Sequence, residues 1–350
     1  MIAIAAPAEQ HRHPTKSTLR PVTALRMGVL GAANIARKVV IPAILRADGV
    51  ELVAIGSQSE RGAEFVAGAG LTGVRACAYE ELLADPDVDA VYVPLPNHLH
   101  AEWSMRAADA GKHVLCEKPA ARTAEEAAQM IDHCITRGVV WLEAFMYRFH
   151  PQWQLVFERL RAGTIGELRV VRSLFTFTVR DPQNIRRRPE VGGGSLYDVG
   201  YYCVNASRWL VGREPVAVTA RMHLSPEGVD EEFQGILDFG SGQSAQVTSS
   251  FAQPYRHDVE LLGTDGRILV PTAFVNRSDP LWFEVEDAEG KRERVDTPGD
   301  DEYRLELEYF AACVRAGRQP EVVSHADTLG NMKTIDALYE AARSGRAVAF

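Results

Sequence analysis

The sequence predicts an α/β protein with a doubly wound parallel sheet in its first half, followed by an α+β region with an open, mostly antiparallel sheet. Two observations lead to this prediction. Between Arg26 and Leu142, short apolar runs alternate with segments of helical length, as in βαβ units. After Phe145, period-two alternation dominates, and turns such as Gly-Ser-Gly at 240–242 separate the runs.

The first half contains six apolar runs that we predict as parallel strands. Buried parallel strands are continuous apolar runs, and helices are expected between them. The predicted strands cover 27–30, 52–55, 74–77, 90–93, 113–116 and 139–142. The predicted helices cover 35–45, 63–68, 79–83, 99–110 and 123–136.

The second half is predicted to be mainly strand, with helices at its two ends. One helical stretch follows His150-Pro151. The predicted strands cover 168–179, 216–222, 233–239, 245–251, 259–262 and 281–285, and two helices at 303–316 and 326–344 follow them. The alternation of apolar and polar residues is typical of strands with one buried face.

Composition and charge exclude several classes of function. The chain has 350 residues, with 38 Lys and Arg against 47 Asp and Glu, so its formal charge of -9 argues against nucleic acid or an anionic membrane as main partner. Five cysteines without a CxxC pair predict neither a disulfide framework nor a metal cluster. Without a secretory leader or an apolar run of about 18 residues, we expect a cytoplasmic protein that binds a small molecule.

A degraded phosphate-binding fingerprint follows the first predicted strand. Residues 31–36 are Gly-Ala-Ala-Asn-Ile-Ala, so Ala33 takes the place of the middle glycine in GxGxxG/A. The same residues also fit an ordinary strand-to-helix turn. Because a doubly wound fold binds nucleotide phosphates after its first strand, we predict cofactor contacts there. The predicted contacts are Gly31, Ala33, Asn34 and Ile35.

The end of the second predicted strand bears on the choice between NADP and NAD. An acidic residue at that strand end would hold a ribose 2′-hydroxyl, and none is present. The hydroxyls of Ser57 and Ser59 and the guanidinium of Arg61 are donors that suit a 2′-phosphate. Ser59 and Arg61 are equally suited to a helix N-cap and a solvated first turn. NADP is therefore predicted, with NAD as the alternative.

Two later strand ends carry polar side chains toward the same crevice. Asn97 follows the fourth predicted strand and Lys118 the fifth. Ligands of open α/β sheets lie outside the carboxyl ends of the strands, so we expect both side chains where a nicotinamide and its substrate meet. His98 and His100 have no further ligand at metal spacing, and we predict them as helix-start and packing residues, without a metal. Further predicted cofactor contacts are Pro96, His100 and Glu117.

Three glycines at 192–194 lead into a predicted helical segment. Asp198 and Tyr202 are four residues apart on it, a spacing that puts both side chains on one helix face. A carboxylate and a phenol would then point into one cavity. The other interpretation is a flexible loop before a helix that buries a tyrosine.

These segments resemble the glucose-fructose oxidoreductase and inositol dehydrogenase family (Gfo/Idh/MocA). The resemblance runs from Arg26 to the C-terminus, and its carriers are residues 110–119 (AGKHVLCEKP), 192–202 (GGGSLYDVGYY) and 339–346 (YEAARSGR). It implies a dinucleotide-binding Rossmann domain and a substrate-binding α+β domain whose sheet builds homodimers or homotetramers. We place these domains at 25–146 and 147–350, after a flexible arm at 1–24.

By position, the resemblance implies that Lys118 is the catalytic lysine, Asp198 orients the substrate, and Tyr202 takes the place of a histidine found in inositol dehydrogenases. Tyrosine there is similar to the xylose and dihydrodiol dehydrogenase and ketosugar reductase branches. Ala33 and Gln58 depart from the family's pattern at the cofactor site.

The implied reaction is hydride transfer between NADP(H) and a sugar or related polyol, of the aldose 1-dehydrogenase type. Tyr202 or Lys118 carries the proton. As the base, Tyr202 needs its pKa lowered from about 10 toward 7, and an ammonium within about 4 to 6 Å and the positive nicotinamide ring of the oxidised cofactor are the expected causes. A reductase of a nucleotide-linked ketosugar in deoxysugar biosynthesis and a non-catalytic NAD(P)-binding protein are the alternatives.

Overall fold

The first half of the chain forms a six-stranded parallel sheet. The computed structural model describes residues 24–58, 61–276 and 278–350, so nearly all of the predicted arm lies outside it. The strands are β1 (Leu25–Leu30), β2 (Val50–Gly56), β3 (Arg75–Cys77), β4 (Ala90–Val93), β5 (His113–Glu117) and β6 (Trp141–Ala144). Their order is β3-β2-β1-β4-β5-β6, so the strand order reverses between β1 and β4 and leaves a crevice there.

Helices connect these strands. They are α1 (Ala36–Ile44, whose first part Ala36–Val40 is π-helical), α2 (Arg61–Gly68), α3 (Tyr79–Ala84), α4 (His100–Asp109) and α5 (Ala124–Thr136). All four residues of β4 are buried, as expected for a central strand covered on both faces. Strand β6 begins two residues later than predicted, because the amide of Val139 still bonds Cys134 O at the end of α5.

The second half forms a nine-stranded open sheet. Its strands are β7 (Leu168–Thr176), β8 (Ala217–Leu224), β9 (Asp230–Asp238), β10 (Ser244–Ser250), β11 (Arg256–Gly263), β12 (Gly266–Val270), β13 (Leu281–Asp287), β14 (Arg292–Thr297) and β15 (Val348–Ala349). The order is β14-β13-β12-β11-β7-β10-β9-β8-β15, and every neighbouring pair is antiparallel except β7 and β10. The predicted fold class is therefore confirmed.

Among the helices of the second half, two contact the first half of the chain. They are α6 (Pro151–Arg161), α7 (Tyr201–Val211, preceded by the π-helical turn Leu196–Gly200), α8 (Glu302–Ala316) and α9 (His325–Ser344). Helices α7 and α9 pack on one face of the second sheet, while α8 contacts α1 and α9 contacts α5 in the first half. In the described part of the chain, no helix has the length and apolar character that crossing a bilayer requires.

Candidate active site

A cavity of about 800 Å³ lies at the carboxyl ends of the parallel strands, where the second half of the chain covers them. Its volume is in the range of small-molecule sites. The first half contributes Ala32, Ala33, Asn34, Ile35, Pro94, Leu95, Pro96, Asn97, His100, Glu117 and Lys118. The second half contributes, among others, Phe175, Phe177, Asn184, Arg186, Gly192, Gly193, Gly194, Asp198, Tyr202 and Tyr255.

The turn after β1 forms one end of the cavity. Gly31 has a φ of 115°, a conformation that side chains rarely adopt, and its amide bonds Gly56 O at 3.0 Å. Ala33, Asn34 and Ile35 line the cavity just before α1. The first amides of a helix have no intrahelical acceptor, so this turn suits the pyrophosphate of a dinucleotide.

The predicted 2′-phosphate contacts are described only in part. Ser57 follows β2, and its amide bonds Cys77 O at 2.9 Å. Ser59 lies outside the described residues, and the side chain of Arg61 is also not described. The preference of this strand end for NADP therefore stays a prediction.

The loop after β4 is tied to both halves of the cavity. The Asn97 amide donates to Gly192 O at 2.7 Å, so it joins this loop to the glycine run. His100 is 1% exposed, and its Nδ1 and Nε2 each lie 2.7 Å from a carbonyl oxygen, of Pro119 and Leu95 respectively. Because burial lowers the pKa of the imidazole, its single N–H donates to one of these two carbonyl oxygens, and the ring packs between the two loops beside the cavity.

Lys118, Asp198 and Arg186 form a charged cluster in the cavity. Lys118 Nζ donates to Asp198 Oδ1 at 3.0 Å and to the Asp198 carbonyl oxygen at 2.6 Å. Arg186 Nε donates to Asp198 Oδ2 at 2.6 Å. Burial opposes ionisation of Asp198, but the charges of Arg186 and Lys118 outweigh it and lower the pKa of this carboxyl well below its usual range. Asp198 is therefore ionised and holds both cations.

Tyr202 lies beside this cluster and is 6% exposed. Lys118 Nζ is 4.9 Å from the centre of its ring, within the expected distance, and the Tyr202 hydroxyl lies 3.5 Å from Met146 Sδ. Contrary to expectation, the pKa of the phenol is raised well above 10, first by burial and then by neighbouring groups such as Tyr303 and Glu117. Asp198, which pairs with Lys118, is among the groups that add to this rise in pKa.

The glycine run positions the helical segment that carries Asp198 and Tyr202. Gly194 has a φ of 124°, and a Cβ there would lie 2.1 Å from Asp230 Oδ1. The buried carboxylate of Asp230 accepts bonds from Ser195 Oγ at 2.9 Å and Leu196 N at 2.7 Å. The turn that follows is π-helical, a form often found at functional sites.

The sequence analysis did not predict that Asp230 anchors the segment that begins at Leu196. The two residues are 34 positions apart, and nothing near Asp230 in the sequence indicates this contact. Arg186 was within reach of sequence reasoning. It lies six residues before Gly192, the first residue of the glycine run, but its sequence context also fits a solvated loop.

Comparison with protein-family models decides the family. Residues 25–145 match the "oxidoreductase family, NAD-binding Rossmann fold" model, and residues 153–269 match the "GFO/IDH/MocA C-terminal domain" model. The chain belongs to the Gfo/Idh/MocA family. This Gfo/Idh/MocA protein is therefore an oxidoreductase with a nucleotide-binding Rossmann domain, as the resemblance implied.

Individual relatives extend over nearly the whole chain. A D-xylose 1-dehydrogenase (NADP(+)) from Haloferax volcanii is 41% identical over 326 residues, which are 93% of this chain and 99% of the relative. The structure of KijD10, a 3-ketoreductase from Actinomadura kijaniata in complex with NADP and TDP-benzene, matches with a TM-score of 0.86 and 32% identity, covering 91% of this chain and 98% of that one.

A further structure, the aldose-aldose oxidoreductase from Caulobacter crescentus complexed with glycerol, has a TM-score of 0.85 and 30% identity and covers 93% of this Gfo/Idh/MocA chain and 100% of its own. These matches confirm an NAD(P)-dependent oxidoreductase of a family whose members include enzymes named for sugar substrates. The roles of Lys118, Asp198 and Tyr202 stay predictions.

Proposed function

We propose that this protein is an NADP(H)-dependent sugar dehydrogenase of the aldose 1-dehydrogenase type. In oxidation, the hydride leaves the sugar carbinol carbon for the nicotinamide and the hydroxyl proton goes to a side chain, so an aldose gives a lactone. The observation that carries the proposal is the convergence of Lys118, Asp198 and Tyr202, from two halves of the chain, in one cavity. NADP supplies the hydride acceptor.

Asp198 is proposed to orient the sugar. A carboxylate has lone pairs for two hydroxyl donors beyond the cations that it already holds. The fixed positions of Lys118 and Arg186 hold this carboxylate in one orientation, which favours a single binding pose for the reacting carbon.

The proton is proposed to pass through Tyr202 or Lys118. Because burial keeps Tyr202 protonated at neutral pH, its phenol is a proton donor toward a carbonyl oxygen in the reduction direction. In the oxidation direction, the positive charge of an oxidised nicotinamide would favour the phenolate. Lys118, whose ammonium lies beside the same ring, is the other carrier.

Charge in the cavity supports a free sugar as substrate. Among the described residues that line it, the Lys and Arg side chains are Lys118 and Arg186, and Asp198 engages both. A substrate diphosphate would need basic groups of its own. The NADP(+)-dependent xylose dehydrogenase among the relatives supports the same substrate class and the same cofactor.

A reductase of a nucleotide-linked ketosugar is the second candidate. Two observations favour it: the similarity to the 3-ketoreductase KijD10, and the raised pKa of Tyr202, which suits an acid in carbonyl reduction. A non-catalytic NAD(P)-binding protein is the remaining alternative, and the presence of both Lys118 and Tyr202 argues against it.

The test is NADP- and NAD-dependent turnover on a panel of free aldoses, polyols and nucleotide-linked ketosugars. Oxidation of a free aldose with NADP supports the proposal, whereas reduction of nucleotide-linked ketosugars alone supports the second candidate. Lys118→Met and Tyr202→Phe are each expected to lower kcat by about a thousandfold while cofactor binding stays near normal. Wild-type rates in both variants would contradict the assigned roles.

We also propose a homodimer or homotetramer built through the outer face of the second sheet. Ile236, two residues before the end of β9 and on that face, is 50% exposed. Light scattering with the variant Ile236→Asp tests this, because a charge buried at the interface would shift the protein toward the monomer.

A further inference from the structure

We propose that Glu143 is a positioning residue, which holds the loop of Lys118 and the helix of Tyr202 at a fixed separation across the active-site cavity. The inference deepens the proposed function and rests on the roles given there to Lys118 and Tyr202. Glu143 does not line the cavity and is not proposed to touch substrate or cofactor.

A single buried carboxylate joins three elements. Glu143 lies in β6 and is 0% exposed. Its Oε1 accepts bonds from the Ala120 amide at 2.8 Å and from the Tyr201 hydroxyl at 2.7 Å. Its Oε2 accepts a bond from Thr328 Oγ1 at 2.8 Å in the first turn of α9. The loop after β5, the start of α7 and the start of α9 therefore meet at this side chain.

Two of these partners lie within two residues of the proposed catalytic residues along the chain. Ala120 is two residues after Lys118, and Tyr201 immediately precedes Tyr202. The Tyr201 ring is also stacked on Phe145, with ring centres 5.4 Å apart and an angle of 3° between the ring planes. Contacts therefore hold both the ring and the hydroxyl of Tyr201. A displacement of about 1 Å between reacting groups costs roughly a hundredfold in rate. The Glu143 contacts therefore bear directly on the Lys118 and Tyr202 geometry.

Among the described residues, no cation pairs with Glu143, and burying an unpaired carboxylate costs more free energy than burying an apolar side chain. Burial disfavours its ionised form, and Asp327 on α9 adds repulsion. The three donors satisfy the carboxylate, and apolar residues of similar volume would fill the same space without this cost. What an apolar residue lacks is the ability to bond all three elements at once.

The test compares Glu143→Ala, Glu143→Gln and Tyr201→Phe under conditions where the wild type turns over. Glutamine keeps an acceptor for Ala120 and Tyr201 and offers an N–H to Thr328, so it is expected to retain kcat within about threefold. Alanine is expected to lower kcat by about a hundredfold and Tyr201→Phe by about tenfold, with the KM for NADP unchanged.

Ser207→Ala is the matched control for Tyr201→Phe. It also removes a buried hydroxyl from α7, but Ser207 Oγ bonds only Cys203 O within that helix at 2.7 Å, and wild-type kcat is expected. A kcat loss in Glu143→Gln as large as in Glu143→Ala would overturn the proposal. So would wild-type kcat in Tyr201→Phe, which decides the question if Glu143→Ala does not fold.

Amide hydrogen exchange gives a readout that does not need turnover. Peptides covering 118–122 and 196–204 are expected to exchange faster in Tyr201→Phe and Glu143→Ala than in the wild type, and at wild-type rates in Ser207→Ala. Unchanged exchange in both segments would contradict the bridging role. If the wild type turns over no substrate, the proposed function fails, and the exchange measurement still decides this inference.

Discussion

Arg186 and Lys118 bind opposite oxygens of one carboxylate: Arg186 Nε lies 2.6 Å from Asp198 Oδ2, and Lys118 Nζ lies 3.0 Å from Asp198 Oδ1. The lysine follows β5 of the first sheet, whereas the arginine precedes the glycine run in the second half of the chain. Asp198 therefore fixes the distance between Lys118 and Arg186, two cations that are far apart in the sequence.

Removing the negative charge of Asp198 tests the role of this carboxylate, which lies between the two cations. In Asp198→Asn, the two cations lose their counter-ion and the sugar loses a strong acceptor, so we expect kcat/KM for the sugar to fall by about a hundredfold or more. Steady-state kinetics measure this. Glu190→Gln, which removes an exposed carboxylate that pairs with Arg188, is the control and is expected to behave as wild type. A loss below threefold would contradict the role of Asp198.

Replacing Arg186 separates substrate binding from chemistry. Its guanidinium lines the cavity and holds one side of Asp198, but Lys118 holds the other side. We expect Arg186→Met to raise the KM for the sugar about tenfold and to change kcat less, and Arg186→Lys to recover part of the loss. Kinetics on one aldose with saturating NADP measure both. An unchanged KM in Arg186→Met would show that this side chain does not act on the sugar.

The titration of Glu143 makes stability depend on pH. Burial raises its pKa from 4.5 to about 7 in the folded chain, against hydrogen bonds from Tyr201 on α7 and Thr328 on α9, with Asp327 adding to the rise. Between those values the unfolded chain has lost the proton that the folded chain keeps. The Glu143 contribution to the free energy of unfolding therefore falls as pH rises from about 4.5 to about 7, and levels off above.

Glu143→Gln removes this contribution. Urea unfolding of both proteins between about pH 5 and about pH 8 measures it, and the stability of the variant relative to wild type is expected to increase over the lower part of that range. The slope has an upper limit of ~1.4 kcal/mol per pH unit. A difference that is constant with pH would mean that Glu143 does not titrate there.

Gly194→Ala tests the backbone conformation just before the helical segment that carries Asp198. The φ of 124° strains any side chain, and the new Cβ would also meet Asp230 Oδ1 at 2.1 Å. Gly228→Ala is the control, because Gly228 has a φ of 93° but open space around it. We expect about 1 kcal/mol of destabilisation for Gly228→Ala and at least ~2 kcal/mol more for Gly194→Ala, with loss of turnover. Equal losses would show that the Asp230 contact is unimportant.

Much of the fold follows from local patterns. Apolar runs and helical spacings locate the six parallel strands, because strands buried on both faces leave a continuous apolar signal. The same reasoning does not predict strands β12 and β14. Gly266–Val270 is short, and Arg292–Thr297 carries four charged residues because it is an edge strand, where charge discourages further pairing.

The candidate site also has a part that the sequence predicts and a part that it does not. Lys118, Asp198 and Tyr202 are placed in one cavity by topology and helical spacing, both of which the sequence contains. The ion pair with Arg186, the anchoring by Asp230 and the direction of the Tyr202 pKa depend on burial and on neighbours distant in the chain. No local pattern carries such information. The domain boundary at 146/147 and the residue roles stay predictions.

The bond from the side-chain amide of Asn97 to Gly192 O connects the loop after β4 to the loop that leads to Asp198. A displacement of either loop would therefore have to break this bond or carry the other loop with it.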